Sequence, residues 1–311
     1  MKTQIAFLFP GQGAQYVGMG KGLYQNFPQA KRVYDHADQV LGFSISKICF
    51  EGPEDKLTET ANAQVAIFVA SIAALQVLKE LKPQLIPSAV CGLSLGEFSA
   101  LAACEAIRFE EGVKLVRKRG ELMNKAAKAN SGTMASVLGV ELATCEAICQ
   151  AVGAQVANIN APGQIVLSGT VDSVAKASEE VKKAGGKAIL LKVSGAFHSK
   201  LMSAAGEGLL EALKSVSISK PNVKFIPNVT GEPVDDPETI RRFLYQQVTS
   251  SVQWVKTMET LGKLGITNGV EIGPGKVLKG LAKKNNPNFL VMSLDTEADI
   301  AELMKMEEKV C

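Results

Sequence analysis

Residues 90–100 read VCGLSLGEFSA, and the reading of this stretch decides the fold. An apolar strand end (Ala89, Val90, Cys91) runs into Gly92-Leu93-Ser94-Leu95-Gly96, and a helix-like run follows from Glu97 to Ala103. A serine between two glycines at a strand-to-helix turn has two readings. It is either an N-capping residue in a tight turn or the nucleophile of the Gly-x-Ser-x-Gly elbow used by serine acyl-transfer enzymes. The second reading accounts for the glycines, because such an elbow crowds strand against helix and a Cβ at Gly92 or Gly96 would clash. It also requires the rest of the chain to supply a base, an oxyanion hole and a substrate.

The chain holds two histidines, His36 and His198. His36, in KRVYDHADQVL, lies among charged residues on a surface helix and reads as solvated and passive. His198, in GAFHSKLM, sits in a loop before a helix over 201–216, whose apolar positions Leu201, Ala205, Leu209 and Leu213 keep helical spacing. Ser199 reads as its cap. A loop histidine with a satisfied hydrogen bond is the bland alternative. If Ser94 is a nucleophile, His198 is the base by elimination.

Two further stretches are candidates. FLFPGQGAQ (Phe7–Gln15) is a strand entering a glycine loop. It lacks the third glycine of a dinucleotide fingerprint, and Gly20-Lys21 lacks the rest of a P-loop. The loop is either a plain turn or a source of backbone N–H groups for an oxyanion; the second donor would be the amide of Leu95, at a helix N-terminus. In FEEGVKLVRKRGELMNKAAK (Phe109–Lys128), Arg119 falls about 40° from Leu115 at ~100° per residue, inside the apolar stripe. An inward guanidinium needs a partner. That partner is either Glu97, in an internal salt bridge, or a substrate carboxylate gripped bidentately.

Composition narrows the rest. The chain has 311 residues, 46% of them hydrophobic, enough for one large domain with a smaller insert. A net charge of +3 with few aromatics allows an acidic partner but gives no nucleic-acid stripe. Two histidines and no Cys/His ligand spacing leave no metal site to expect. No secretory signal is visible, and the longest apolar run, Val65–Leu75, is too short to span a bilayer, so it reads as part of a buried helix over 61–81. Six cysteines without C-x-x-C spacing fit a reducing cytoplasm.

Strand-like and helix-like runs alternate along the chain, which predicts an α/β fold with a largely parallel sheet. Strands are expected at 4–9, 89–91, 134–138, 156–159, 165–168, 188–193, 223–226, 269–272 and 290–292. Residues 133–193 run strand, helix, strand, strand, helix, strand, the βαββαβ order of a ferredoxin-like unit. The chain therefore divides into a discontinuous catalytic domain, 1–128 and 197–311, and an inserted subdomain, 129–196.

These pieces together resemble the malonyl-CoA:acyl carrier protein transacylase family and the related acyltransferase domains of fatty acid and polyketide synthases. The matching stretches are FPGQGAQ, GLSLGE, RGELM, INAPGQIVLSG, AFHSKLM, VQW and EIGPGKVLKGL, spread over essentially the whole chain. The resemblance implies an α/β-hydrolase-like domain with a ferredoxin-like insert. It implies Ser94 as acyl-accepting nucleophile, His198 as base, and the backbone amides of Gln12 and Leu95 as oxyanion hole. Arg119 would pair with the malonyl carboxylate, the main-chain carbonyl of Gln247 would orient the histidine, and Asn160 would line the site from the insert. Two positions depart from the family pattern: Leu93 stands where His is usual, and Ser250-Ser251 where Asn-Pro is common. Phe197 before the histidine goes with malonyl rather than methylmalonyl.

The implied activity is malonyl transfer from malonyl-CoA to the phosphopantetheine thiol of acyl carrier protein for fatty acid biosynthesis, by a cytoplasmic monomer without a resident cofactor. Acyl carrier protein is acidic, and basic docking faces are expected at Lys276, Lys279 and Lys283 or at Lys182, Lys183 and Lys187. The alternatives are an acyltransferase serving a polyketide synthase, a serine thioesterase, and a non-catalytic carrier-binding module.

Overall fold

The computed structural model describes residues 4–305. Among them nine strands form two sheets. The first is parallel, with β1 (Ile5–Phe9), β2 (Ala89–Gly92), β7 (Lys224–Ile226), β8 (Asn268–Ile272) and β9 (Leu290–Leu294) in the order β7-β2-β1-β8-β9. The second is antiparallel, with β3 (Gly132–Leu138), β4 (Gln155–Ala161), β5 (Gln164–Thr170) and β6 (Lys187–Leu190) in the order β4-β5-β3-β6.

Period-two alternation splits the strands of the parallel sheet between two cores. Phe7, Phe9 and Val90 face one apolar cluster, while Ala6, Leu8, Ala89 and Cys91 face the other. Burial on both faces explains why these strands are continuously apolar. The helix Thr60–Leu81 runs through the larger cluster. By length and composition it could cross a membrane, longer than the run Val65–Leu75 suggested, but 94% of its apolar window is buried inside the protein. It is the core helix the sequence implied.

The antiparallel sheet alternates differently. Val137, Ile165 and Leu167 pack under the helices Leu142–Val152 and Val171–Lys183. Met134, Val166, Asn158 and Asn160 turn to the other face and line a cleft shared with the parallel sheet. The sheet is bound to the main body by backbone: Ile159 N–H donates to the Val252 carbonyl at 2.9 Å, and Val252 N–H to the Ala157 carbonyl at 2.8 Å.

Strands β3, β4, β5 and β9 run two or three residues longer than expected, and two expected elements are cut short. The 188–193 strand ends at Leu190, because β6 is an edge strand whose last partner is Ala135; Leu191, Lys192 and Val193 instead line the cleft. The expected 201–216 helix is a 3₁₀ turn, Lys200–Met202, followed by a helix, Ser203–Leu213. Ser199 caps the turn through its Oγ, which accepts from Leu201 N–H at 3.3 Å. The tail helix is described over Glu297–Lys305, and Cys311 lies outside the described residues. Cys49, Cys91, Cys104, Cys145 and Cys149 are buried free thiols.

Candidate active site

Strand β2 delivers the chain to Ser94, and the helix Gly96–Ala103 carries it away. Glycine is required on both sides of the turn: a Cβ on Gly92 would strike the backbone of Gly96, and one on Gly96 would strike the Phe9 carbonyl on β1. Ser94 itself has φ 52°, a left-handed conformation that a non-glycine residue holds only at a cost of ~1–3 kcal/mol. Asn228 holds it there. The Asn228 Oδ1 accepts from Ser94 N–H at 2.6 Å, and its Nδ2 donates to the Gly92 carbonyl at 2.6 Å. The serine hydroxyl does not cap the helix. It lies 2.8 Å from Nε2 of His198.

His198 is fully enclosed and also left-handed, with φ 57°. Its Nδ1–H donates to the main-chain carbonyl of Gln247 at 2.8 Å, which leaves Nε2 free to accept the Ser94 proton. Burial, and then the Arg119 charge, push the imidazole down to about 4, while the Gln247 and Ser250 main chains pull it back up. A group depressed in this way is neutral, and competent as a base, above about pH 4. It loses that competence as pH falls through the same value. Inactivation of Ser94 by an uncharged serine-directed reagent is therefore expected to stay level from about pH 8 to about pH 5 and to be half-maximal near pH 4. A midpoint at the ordinary histidine value of 6.5 would show a solvated imidazole instead.

Arg119 projects from the helix Phe109–Ala129 into the interior and is 1% exposed. The salt bridge to Glu97 entertained from periodicity is not formed. The guanidinium donates to neutral groups: Nη1 to Gln64 Oε1 at 2.7 Å, and Nη2 to Gln247 Oε1 at 2.9 Å and Ser94 Oγ at 3.1 Å. Its ring neighbour is Phe98, 5.4 Å away. Its Nε–H has no acceptor among the described residues. Burial lowers the guanidinium to about 10, so it stays charged at neutral pH. Behind it, the Gln247 amide donates through Nε2 to Glu97 Oε2 at 2.7 Å and to the Ser94 carbonyl at 3.0 Å.

The glycine loop after β1 lies against the elbow so closely that a Cβ on Gly11 would strike the Leu93 carbonyl. Gly11, Gln12, Leu93, Ser94, Arg119, Asn160 and His198 share one cleft of about 300 Å³. Leu95 begins the helix at its base, where its amide adds to the positive end of the helix. Asn160 enters from β4 with its Oδ1 buried and without a partner among the described residues, while its carbonyl accepts from Asn285. Leu93 and Phe197 add apolar walls. His36 is elsewhere, half-exposed and 3.4 Å from Glu110.

Two residues of this site escaped sequence reading. Gln64 lies on a helix that also carries Thr60, Asn62, Ser71 and Gln76, so its polarity did not single it out. Asn228 follows β7 in IPNVTG and carries no motif that distinguishes it from a turn residue.

The chain matches the family model of the acyl transferase domain over residues 6–289. It is 45% identical over 290 residues to the malonyl CoA-acyl carrier protein transacylase of Bacillus subtilis, covering 91% of each chain. It is 38% identical to that of Staphylococcus aureus, covering 96% of this chain and 97% of the other. The solved transacylase of Clostridium perfringens superposes with a TM-score of 0.94 at 38% identity, over 98% of both chains. A malonyl-transacylase solved in complex with a type II polyketide synthase acyl-carrier protein superposes with a TM-score of 0.94 at 32% identity, over 97% of this chain and 99% of that one. The serine elbow, the enclosed histidine and the buried arginine thus stand in a chain that belongs to the acyl transferase family, among the malonyl-CoA:acyl carrier protein transacylases.

Proposed function

We propose that this chain moves a malonyl group from malonyl-CoA to the phosphopantetheine thiol of acyl carrier protein, through a malonyl ester on Ser94, in the service of fatty acid biosynthesis. The observation that carries the choice of acyl group is Arg119. A buried cation whose Nη2 is 3.1 Å from the nucleophile, with an unpartnered Nε–H, is a seat for an acid at the far end of a short acyl chain.

The steps follow from the geometry. His198 Nε2 takes the Ser94 proton as Oγ attacks the thioester carbon. The negative oxygen so formed turns toward the amides of Gln12 and Leu95 and the positive end of the Gly96–Ala103 helix. The carbon–sulfur bond breaks and CoA leaves as a thiol, taking the proton from His198. The carrier thiol then gives its proton to His198 and attacks the ester, and the returning proton restores Ser94. The Gln247 carbonyl supports the imidazolium as a dipole in the place a carboxylate usually fills. Carrier docking is supported by the helix Val277–Asn285, which presents Lys279 and Lys283 while its first residue, Val277, stands at the cleft.

Intact protein offered malonyl-CoA, acetyl-CoA and methylmalonyl-CoA together should gain the mass of a single malonyl group. A dominant acetyl adduct, or hydrolysis that outruns transfer when a carrier thiol is supplied, would overturn this reading.

A further inference from the structure

Glu97 follows the elbow by one turn and is fully buried. Its two oxygens are unequal. Oε2 accepts from Asn228 N–H at 2.9 Å and from Gln247 Nε2 at 2.7 Å, whereas Oε1 has no partner among the described residues. A buried carboxylate with one bare oxygen is poorly held as an anion and has an open place for a proton. The Gln247 amide stands between it and Arg119, giving its carbonyl to the cation and its N–H to the acid. Only one orientation of that amide satisfies both neighbours, so the two charges are coupled through it.

We propose that Glu97 is the exchangeable counter-ion of Arg119, ionised on the alkaline side when the cleft is empty and protonated from solvent, up to one proton per site, when an acid-bearing acyl group docks on the guanidinium. The inference rests on the reading of Arg119 as the seat of the substrate acid. The guanidinium can neutralise one buried anion well and two poorly, so a second carboxylate in the site displaces the charge of the first. Burial already holds Glu97 up at about 7, against the pull of Asn228, Gln247 and Arg119. The charges bearing on it are few. Arg119 faces it from the neighbouring helix, His198 is neutral in this range, and burial pushes the Cys91 thiol on β2 upward, so it is uncharged too. Gln64, Asn228 and Gln247 carry no charge. Glu97 thus acts as a positioning and selectivity residue, setting how strongly Arg119 attracts an acid at a given pH.

The test is equilibrium binding of malonyl-CoA and acetyl-CoA to the Ser94→Ala protein, which cannot turn them over. Taking the ratio of the two affinities cancels the titration of the CoA phosphates. The malonyl preference is expected to fall roughly three- to fivefold between about pH 6 and about pH 8. In Ser94→Ala/Glu97→Gln it should stay level at its low-pH value. Calorimetry of the Ser94→Ala protein in buffers of different ionisation enthalpy should show malonyl-CoA taking up more protons than acetyl-CoA near pH 7, a readout that does not require the double variant to fold. A level preference in Ser94→Ala, or equal proton uptake for the two ligands, overturns the proposal alone. No malonyl preference at any pH overturns it together with the reading of Arg119.

Discussion

Replacing Ser94 with alanine is expected to abolish the malonyl-enzyme and to lower transfer to carrier protein by about 10⁶-fold, the usual cost of removing a nucleophile that works as a unit with its base. Among the described residues the Ser94 hydroxyl is the nucleophile that meets both His198 Nε2, at 2.8 Å, and Arg119 Nη2, at 3.1 Å. The substitution leaves the elbow's backbone ties to Asn228 in place. The protein should therefore fold and melt normally while failing to gain mass from malonyl-CoA. A Ser94→Ala protein that still formed an acyl-enzyme would place the nucleophile elsewhere.

Replacing Arg119 with alanine is expected to reverse acyl preference rather than to silence the enzyme. Truncating one partner of a buried, hydrogen-bonded charge pair typically costs about 3–5 kcal/mol, or a loss of roughly 10²–10⁴ in kcat/KM for malonyl-CoA. Acetyl-CoA, with no acid to strand, should lose little or gain. The same change frees Gln64 Oε1 and Gln247 Oε1 and takes the opposing charge away from Glu97. A modest fall in melting temperature is expected alongside. Unchanged malonyl-over-acetyl selectivity would remove Arg119 from substrate recognition.

The parts of this molecule that could be read from sequence are those written in local periodicity. Each of the nine expected strands has a counterpart because apolar runs bounded by turn residues leave few alternatives. The ferredoxin-like order of the insert followed from counting elements, and its sheet order β4-β5-β3-β6 is the one that order forms. Arg119 was visible as a cation on the wrong side of a helix. Its partners were not, because Gln64 and Gln247 lie 55 and 128 residues away and reach it only through the fold. Asn228, which braces a turn 134 residues earlier, was invisible for the same reason. The end of β6 was misjudged because Leu191 and Val193 serve the cleft wall rather than a strand, and the helix after His198 because it opens with a 3₁₀ turn and stops at Leu213.

The histidine is steadied by a peptide carbonyl, not by a side chain. Such a group cannot gain or lose a proton, so its grip on the ring is the same in acid and in alkali. It is also present whichever amino acid occupies position 247. Alanine scanning there would remove only the amide that links Arg119 to Glu97, and would under-count what the position contributes to proton transfer. The acceptor behind the base is in this sense immune to point substitution, and only a shift in the path of the chain itself could take it away.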